Sequence, residues 1–258
     1  MPRFAANLTM MFNEHAFLDR FEAAAKAGFE AVEFLFPYDF PSEAIGERLL
    51  AHGLSVVLFN LPPGDWSKGE RGLAALDGRQ AEFRASVETA LAYAKVLGVP
   101  RLHMMAGIAD RADDRAAALY RDALAYAADA AGENGLDLLI EPLNRRDMPG
   151  YFLNDFNQAA ELIAELDRPN LKLQFDIYHR QILHGDMLKG LESLLSITGH
   201  IQTASVPGRN EPGTGELDDF RIFAALDKLG YSGHIGCEYR PLGDTIAGLS
   251  WRTQLQGP

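Results

Sequence analysis

Short apolar runs alternate along the chain with longer segments whose apolar residues recur at three-and-four spacing. The short runs predict eight strands: Phe4–Leu8, Ala31–Phe34, Leu54–Phe59, Arg101–Met105, Leu136–Glu141, Leu171–Asp176, His200–Ala204 and His234–Tyr239. The longer segments predict seven helices, spanning residues 16–29, 42–53, 81–98, 115–135, 155–167, 186–196 and 217–230. Many of them end in a glycine that suits a helix C-terminus, at Gly28, Gly53, Gly98 and Gly230.

The recurring order of helix, glycine and strand predicts repeated β-α units and a parallel sheet. Eight such units in 258 residues match the size of a (β/α)8 TIM barrel. The alternative is a doubly wound open sheet, which would require a glycine-rich turn after the first strand, and AANLTMMFNEH contains no glycine. Since no Pro- or Ser-rich linker divides the chain, we expect one α/β domain over residues 1–258.

Oxygen-bearing side chains occur at the carboxyl ends of the last four predicted strands. Glu141 ends the run DLLIE before Pro142, Asp176 ends LQFD, Gln202 lies in HIQTAS and Glu238 lies in GCEYRP. Read singly, each carboxylate could equally cap a helix or pair with an arginine. Because the active sites of TIM barrels lie at this rim, we expect all four side chains to converge.

Three carboxylates close together repel one another, and a divalent cation is the usual remedy. Glu141, Asp176, Gln202 and Glu238 form an all-oxygen set, which favours Mg²⁺ or Mn²⁺, with Co²⁺ as a further candidate, over zinc. His179 and Arg209 lie at the same rim. We expect them to bind substrate oxygens and an anionic group, although a surface histidine and a solvated arginine are the alternatives.

Three other histidines and the single cysteine lie within predicted strands. For His103, His200 and His234 a core position, or one that supports the ligands, is more expected than metal ligation. Cys237 lies on the opposite strand face from Glu238 and predicts a buried, inert thiol.

The net charge of −12 argues against a general nucleic-acid-binding surface, which needs clustered Lys and Arg, and favours a small-molecule ligand. The N-terminus does not resemble a signal peptide, and no stretch of about 18 apolar residues predicts a membrane span. With one cysteine, no disulfide framework is available, which suits a reducing compartment. These features predict a cytoplasmic protein without membrane or nucleic-acid partners.

Five segments in this order resemble the hydroxypyruvate isomerase family of the xylose-isomerase-like barrel superfamily: IEPLN, QFDIYH, GHIQTAS, RNEPGTGE and GCEYRP. The likeness extends to RFAANLTMMF, FLFPYDF and NLPPGDWSKGERG. The resemblance implies a metal held by Glu141, Asp176, Gln202 and Glu238, with the two glutamates also acting as acid and base. Related epimerases have His at the position of Gln202, and Ser205 stands where the family leads us to expect Asp.

The activity implied by the resemblance is the interconversion of hydroxypyruvate and tartronate semialdehyde through a metal-stabilised enediolate. An isomerase of a longer 2-oxo acid such as 2-oxo-tetronate is the first alternative, and an epimerase is less favoured because of Gln202. A zinc-dependent DNA-repair endonuclease would need a His-rich cluster and a basic face. Ser205 leaves open a metal- or sugar-binding barrel without turnover. The sequence does not decide the oligomeric state, so a homo-oligomer stays open.

Overall fold

The computed structural model describes residues 2–256 and contains a closed barrel of eight parallel strands in the order β1 to β8. The strands are β1 Arg3–Asn7, β2 Ala31–Phe34, β3 Ser55–Asn60, β4 Arg101–His103, β5 Asp137–Ile140, β6 Leu171–Asp176, β7 Thr198–Thr203 and β8 His234–Cys237. The pairing of β1 with β8 closes the sheet. This closure confirms the predicted (β/α)8 class and excludes the doubly wound alternative.

The helices surround the barrel: α1 Arg20–Lys26, α2 Ser42–His52, α3 Gln80–Leu97, α4 Asp114–Glu133, α5 Phe156–Leu166, α6 Ile177–Leu183, α7 Met187–Leu194, α8 Asp219–Lys228 and α9 Thr245–Gly248. Gly53 and Gly98 end α2 and α3 with φ of 65°, a conformation in which a side chain would be strained. The short helix α6 was not predicted. It follows β6 directly, so its apolar residues read as a continuation of the strand.

Alternate residues of each strand face the helices or the barrel interior. In β6, the outward residues Leu171, Leu173 and Phe175 are buried in the main hydrophobic core against the surrounding helices. The inward residues of β6 are polar towards the carboxyl end, where Gln174 and Asp176 are both buried. A separate apolar cluster lies within the barrel, made of Ala5, Ala31, Val57, Leu58 and Leu139. The polar half of the interior therefore lies at the rim where the sequence predicts the site.

No helix among residues 2–256 has the length and apolar character that a membrane crossing requires.

Candidate active site

Glu141 and Asp176 each bring into the barrel mouth one carboxylate oxygen that accepts no hydrogen bond from the described chain. Glu141 follows β5 directly and is buried, and its Oε1 atom accepts no hydrogen bond from the described chain. Asp176 ends β6 and caps α6, since Oδ1 accepts hydrogen bonds from the backbone N–H groups of Tyr178 at 2.7 Å and His179 at 3.4 Å. That cap leaves Oδ2 of Asp176 without a hydrogen-bond partner among residues 2–256.

The side chain of His179 completes a compact group with these two carboxylates. One potential ligand atom from each of Glu141, Asp176 and His179 lies within 4.8 Å of the others, and all three residues are buried. Buried carboxylate oxygens without donors are costly unless a cation or a proton satisfies them. The two orphaned oxygens therefore fit a hard divalent cation.

His179 is better suited to donate a hydrogen bond than to ligate a metal. Its Nδ1 atom lies 3.0 Å from the backbone nitrogen of Asn144 and 2.8 Å from the Asn144 side-chain nitrogen, so Nδ1 accepts and Nε2 carries the proton. Burial, with a smaller effect of Arg209, holds the pKa of His179 well below its ordinary value. The neutral imidazole thus directs an N–H donor towards Asp176 Oδ2, which lies 3.7 Å away.

Glu238 lines the same cavity as Glu141 and is paired with Arg209. The Arg209 Nη2 atom donates to Glu238 Oε2 and lies 3.6 Å from Asp176 Oδ2, while Nη1 lies 3.5 Å from Asp147 Oδ2. The Nε atom of Arg209 is buried and has no acceptor within the described chain. The positive charge of Arg209 therefore offsets part of the negative charge of these carboxylates, and its Nε–H group stays available to a ligand.

The two glutamates resist ionisation. Burial raises the pKa of Glu141 well above its ordinary value, and the nearby charges of Glu238 and Asp176 raise it further. Burial also raises the pKa of Glu238 to about 8, although Arg209 acts in the opposite direction. A carboxyl group with a pKa of about 8, as in Glu238, can both accept and deliver protons near physiological pH.

The structure places Gln202 beside the carboxylates but bonds its amide within the barrel. Its Nε2 atom donates to Glu33 Oε1 at 2.7 Å, and its Oε1 atom accepts from Gln174 Nε2 at 2.6 Å. Gln202 is paired in register with Asp176 of the neighbouring strand. The Oε1 atom of Gln202 keeps a second lone pair that could bind a metal. Metal ligation by Gln202 therefore stays a prediction.

A cavity of about 160 Å³ opens above these groups. Its polar lining includes Glu141, His179, Arg209 and Glu238, and its apolar lining includes Trp66, Met105, Leu143 and Met148. A small acid fits such a cavity, whose lining combines charged and polar groups with apolar side chains.

Ser205 supports the loop that carries Arg209. Its Oγ atom donates to Asp219 Oδ2 at 2.8 Å, and its carbonyl accepts from the backbone N–H of Arg209 at 2.8 Å. Arg209 itself has a φ of 57°, in the left-handed region. Ser205 therefore contributes to the loop conformation that directs the guanidinium into the site.

The predicted buried positions of His103, His200 and Cys237 agree with the structure, whereas His234 is only half-buried at the start of β8. His200 is buried with its Nε2 atom 2.6 Å from Glu33, and His103 is buried with its Nε2 atom 3.7 Å from Glu141. Burial lowers the pKa of His103 to about 3, so it is neutral. Cys237 is buried, and burial raises the pKa of its thiol well above the ordinary value, which confirms an inert side chain.

Sequence reasoning missed Glu33 and Asn7 inside the barrel and Asn144 beside His179. Glu33 is the third residue of the four-residue β2 and Asn7 is the last residue of β1. The signal used for Glu141, a polar side chain at the end of an apolar strand, applies to Asn7, whereas Glu33 would have required a search for polar residues within the strands. Asn144 gave no such signal, because its role depends on a loop turning back to His179.

Comparison with known proteins assigns the family. The profile described as "Xylose isomerase-like TIM barrel" matches residues 21–255. The 2-oxo-tetronate isomerase of Cupriavidus necator is 55% identical, with 97% of each chain covered, and the hydroxypyruvate isomerase of Escherichia coli is 42% identical, covering 97% of this chain and 98% of that one. The chain belongs to the xylose isomerase-like TIM barrel family. Within it, the protein is an isomerase of the hydroxypyruvate isomerase group.

A solved structure of this barrel family agrees closely with the fold. The protein from Brucella melitensis named "AP endonuclease, family 2" is 48% identical, with a TM-score of 0.96, covering 98% of this chain and 99% of that one. The xylose isomerase-like barrel of the present chain thus has a close structural counterpart over its whole length.

Proposed function

We propose that this isomerase moves a proton between C3 and C2 of a short 2-oxo acid that carries a hydroxyl on C3. Hydroxypyruvate, which would give tartronate semialdehyde, is the smallest such substrate. The proposal rests on one observation: two buried glutamates with raised pKa values, Glu141 and Glu238, line one small cavity together with a neutral histidine donor and an arginine.

The proposed reaction needs one group to remove a carbon-bound proton and another to return one. One of Glu141 and Glu238 takes the proton from C3, and the electron pair of that bond forms the C2–C3 double bond of an enediolate. The C2 carbonyl electron pair moves onto its oxygen, which takes up the C3 hydroxyl proton, and the C3–O bond becomes the new carbonyl as the other glutamate delivers a proton to C2. Proton transfer by a positioned carboxyl group typically contributes about 10² to 10⁴-fold to the rate.

Negative charge on the substrate oxygens has to be stabilised during this transfer. His179 Nε2–H can donate to one of these oxygens, and Arg209 Nε–H has no acceptor in the described chain and can bind the substrate carboxylate. We propose that a divalent ion, Mg²⁺ or Mn²⁺ with Co²⁺ as a further candidate, is held by Glu141, Asp176, Gln202 and Glu238. When bound, it would supply Lewis-acid stabilisation of the developing oxyanion charge.

2-Oxo-tetronate, one carbon longer than hydroxypyruvate, is a second candidate substrate. The cavity extends beyond the carboxylates to Trp66, which also lines a neighbouring groove of about 490 Å³ with Phe36 and Tyr38. That space favours a substrate with a longer carbon chain, and the relative from Cupriavidus necator carries the name 2-oxo-tetronate isomerase.

A turnover panel of hydroxypyruvate, 2-oxo-tetronate and several ketoses, with and without EDTA, separates these candidates. Turnover of ketoses alone would contradict the proposal.

A nucleic-acid substrate is not favoured, although the Brucella melitensis relative is named an endonuclease. The net charge of −12 opposes binding to phosphates, and three of the four proposed ligand side chains carry carboxylates. Small-molecule substrates suit both the charge and the cavity size.

Substitution of His179 by Leu is expected to lower kcat/KM by about 10- to 100-fold, because a hydrogen bond to a charged oxygen is worth about 1.5–3 kcal/mol. The depressed pKa of His179 keeps the imidazole neutral, so its removal should leave the shape of the pH–rate profile between pH 6 and 9 unchanged. Steady-state kinetics across this range check both expectations. His52→Leu, on the outer helix α2, is the matched control. A new or lost inflection in the profile would contradict the neutral-donor role.

Stabilisation by Mn²⁺ is expected to grow from pH 6 to pH 8.5. The folded-state pKa of Glu238, raised to about 8, means that the metal-free protein loses stability as the pH rises from about 4.5 through 8. A cation binds the deprotonated form and displaces the proton, so its affinity rises over the same window. Thermal melts with and without Mn²⁺ measure this gain, and calorimetry in buffers of different ionisation enthalpy counts the protons released. A gain that is constant or falls with pH would contradict the assignment.

A further inference from the structure

Glu33 is a third buried glutamate in the barrel, and it differs from Glu141 in having no free oxygen. It lies on β2 and is 1% exposed. Its Oε1 atom accepts from Asn7 Nδ2 at 2.9 Å and Gln202 Nε2 at 2.7 Å, and its Oε2 atom accepts from His200 Nε2 at 2.6 Å. A carboxylate with both oxygens bonded to protein donors is suited to hold its neighbours rather than to exchange protons with a substrate.

The bond from Glu33 fixes which way the Gln202 amide faces. A carboxylate can accept only from the NH₂ end of an amide, so Nε2 must point to Glu33 and the carbonyl oxygen must point away from it. Gln174 reinforces this orientation, because its Nε2 atom donates to Gln202 Oε1. Without Glu33, either end of the Gln202 amide could occupy either position.

Asn7 extends the same network to Glu238. Its Nδ2 atom donates to Glu33 and lies 3.5 Å from Glu238 Oε1, and its Oδ1 atom accepts from the backbone N–H of Thr9 at 3.1 Å. The Thr9 contact fixes the orientation of the Asn7 amide. Glu33 therefore connects to both a proposed ligand and a proposed proton-transfer group through single side chains.

The barrel leaves room for this carboxylate on β8, which is separated from β2 only by β1. A Cβ atom on Gly236 of β8 would collide with both Glu33 oxygens. Burying a charged network usually adds no more stability than well-packed apolar side chains of similar volume, such as those of the neighbouring interior cluster that contains Leu139. The glutamate at this position is thus better explained by what it orients than by stability.

We propose that Glu33 is a positioning residue for the isomerase, which holds the Gln202 amide oxygen available to the cation and Asn7 against Glu238. The inference rests on the proposed function and deepens it. Changes to side chains that orient metal ligands typically reduce metal affinity or activity by about 10- to 100-fold. We therefore expect Glu33→Leu to weaken Mn²⁺ binding and to lower kcat by about that factor, with KM changed less.

Glu33→Gln is the conservative variant. Its amide oxygen can still accept from Gln202 and Asn7, so we expect it to recover most of the Mn²⁺ affinity that Glu33→Leu loses. Leu139→Ala is the structural control, because it opens a cavity in the interior apolar cluster and removes none of the network's hydrogen bonds, so it should lower Tm while leaving Mn²⁺ affinity and kcat near wild type.

The experiment measures Mn²⁺ affinity by electron paramagnetic resonance, kcat and KM by steady-state kinetics, and Tm for the four proteins. Weakened Mn²⁺ binding and low kcat in folded Glu33→Leu, beyond any losses in Leu139→Ala and with recovery in Glu33→Gln, support the positioning role. Wild-type affinity and kcat in folded Glu33→Leu, or losses matched by Leu139→Ala, would overturn it.

A wild-type protein without isomerase turnover would instead refute the proposed function, while the Mn²⁺ affinities of the variants still decide the role of Glu33. If the wild type binds no Mn²⁺, NMR of the side-chain NH₂ group of Gln202 tests whether Glu33 orients this amide. Assigned with Gln202→Leu, they should shift in Glu33→Leu, and unchanged resonances would overturn the inference.

Discussion

Substitution of Glu141 or Glu238 by Gln is expected to reduce kcat by at least about 10²-fold. Each replacement keeps the shape of the side chain and removes the ability to exchange a proton, and a positioned proton-transfer group typically contributes about 10² to 10⁴-fold. Both glutamates line the same cavity, and burial raises the pKa values of both. We therefore expect the two single variants to be similarly impaired.

Steady-state kinetics at saturating Mn²⁺ separate a lost proton transfer from a lost cation. Glu133→Gln, on the exposed end of α4, is the matched control and should retain wild-type turnover. More than about a tenth of the wild-type kcat in either Glu141→Gln or Glu238→Gln would contradict the pairing of the two carboxyl groups as acid and base.

Substitution of Arg209 by Met is expected to lower the free energy of unfolding of the metal-free protein by about 3–5 kcal/mol, the usual cost of removing one partner of a buried ion pair. Arg209 pairs with Glu238 and lies near Asp176 and Asp147, so its loss leaves buried carboxylates without a counterion. The loss should be smaller at pH 5.5 than at pH 8, because carboxylates that take up protons need no counterion. Mn²⁺ should restore part of it.

Denaturant unfolding at the two pH values measures this effect. Arg121→Met provides the control, because Arg121 pairs with Glu165 on the exposed outer surface, where an ion pair is worth about 1 kcal/mol or less. A destabilisation by Arg209→Met no larger than that of Arg121→Met would show that the guanidinium does not compensate the cluster. In the folded variant, kcat/KM should also fall, since Arg209 is the proposed partner of the substrate carboxylate.

Much of the fold could be predicted from the sequence because each strand carries its own local pattern. The predicted bounds of Ala31–Phe34 and Leu171–Asp176 are confirmed, and the other strands differ by up to two residues at either end. Strand ends shift because pairing with neighbours, rather than residue type, decides where a ladder stops. The unpredicted α6 shows the same limit, since Ile177 continues an apolar run and only the capping role of Asp176 marks the change.

The site residues at the ends of strands were predictable from the sequence. The contacts that depend on loop conformation, or that join residues far apart in the chain, were not. Glu141, Asp176 and Glu238 lie at the rim because the ends of parallel strands meet there. The contact between Arg209 and Glu238 depends on a loop with a left-handed residue, and no local pattern encodes that distance. The bonding of Gln202 to Glu33 likewise joins residues 169 positions apart.

In the proposed mechanism, the protein's own carboxyl groups remove and return a carbon-bound proton. Incubation with Mn²⁺ and hydroxypyruvate in D₂O, followed by NMR, tests it most directly, with 2-oxo-tetronate run in parallel. We predict that solvent deuterium appears at C3 of the recovered 2-oxo acid with the wild-type protein and that its incorporation is reduced at least about 10²-fold with Glu141→Gln or with Glu238→Gln, whichever lacks the base that acts at C3. Deuterium incorporation no faster than with Mn²⁺ alone, for both substrates, would contradict the claim.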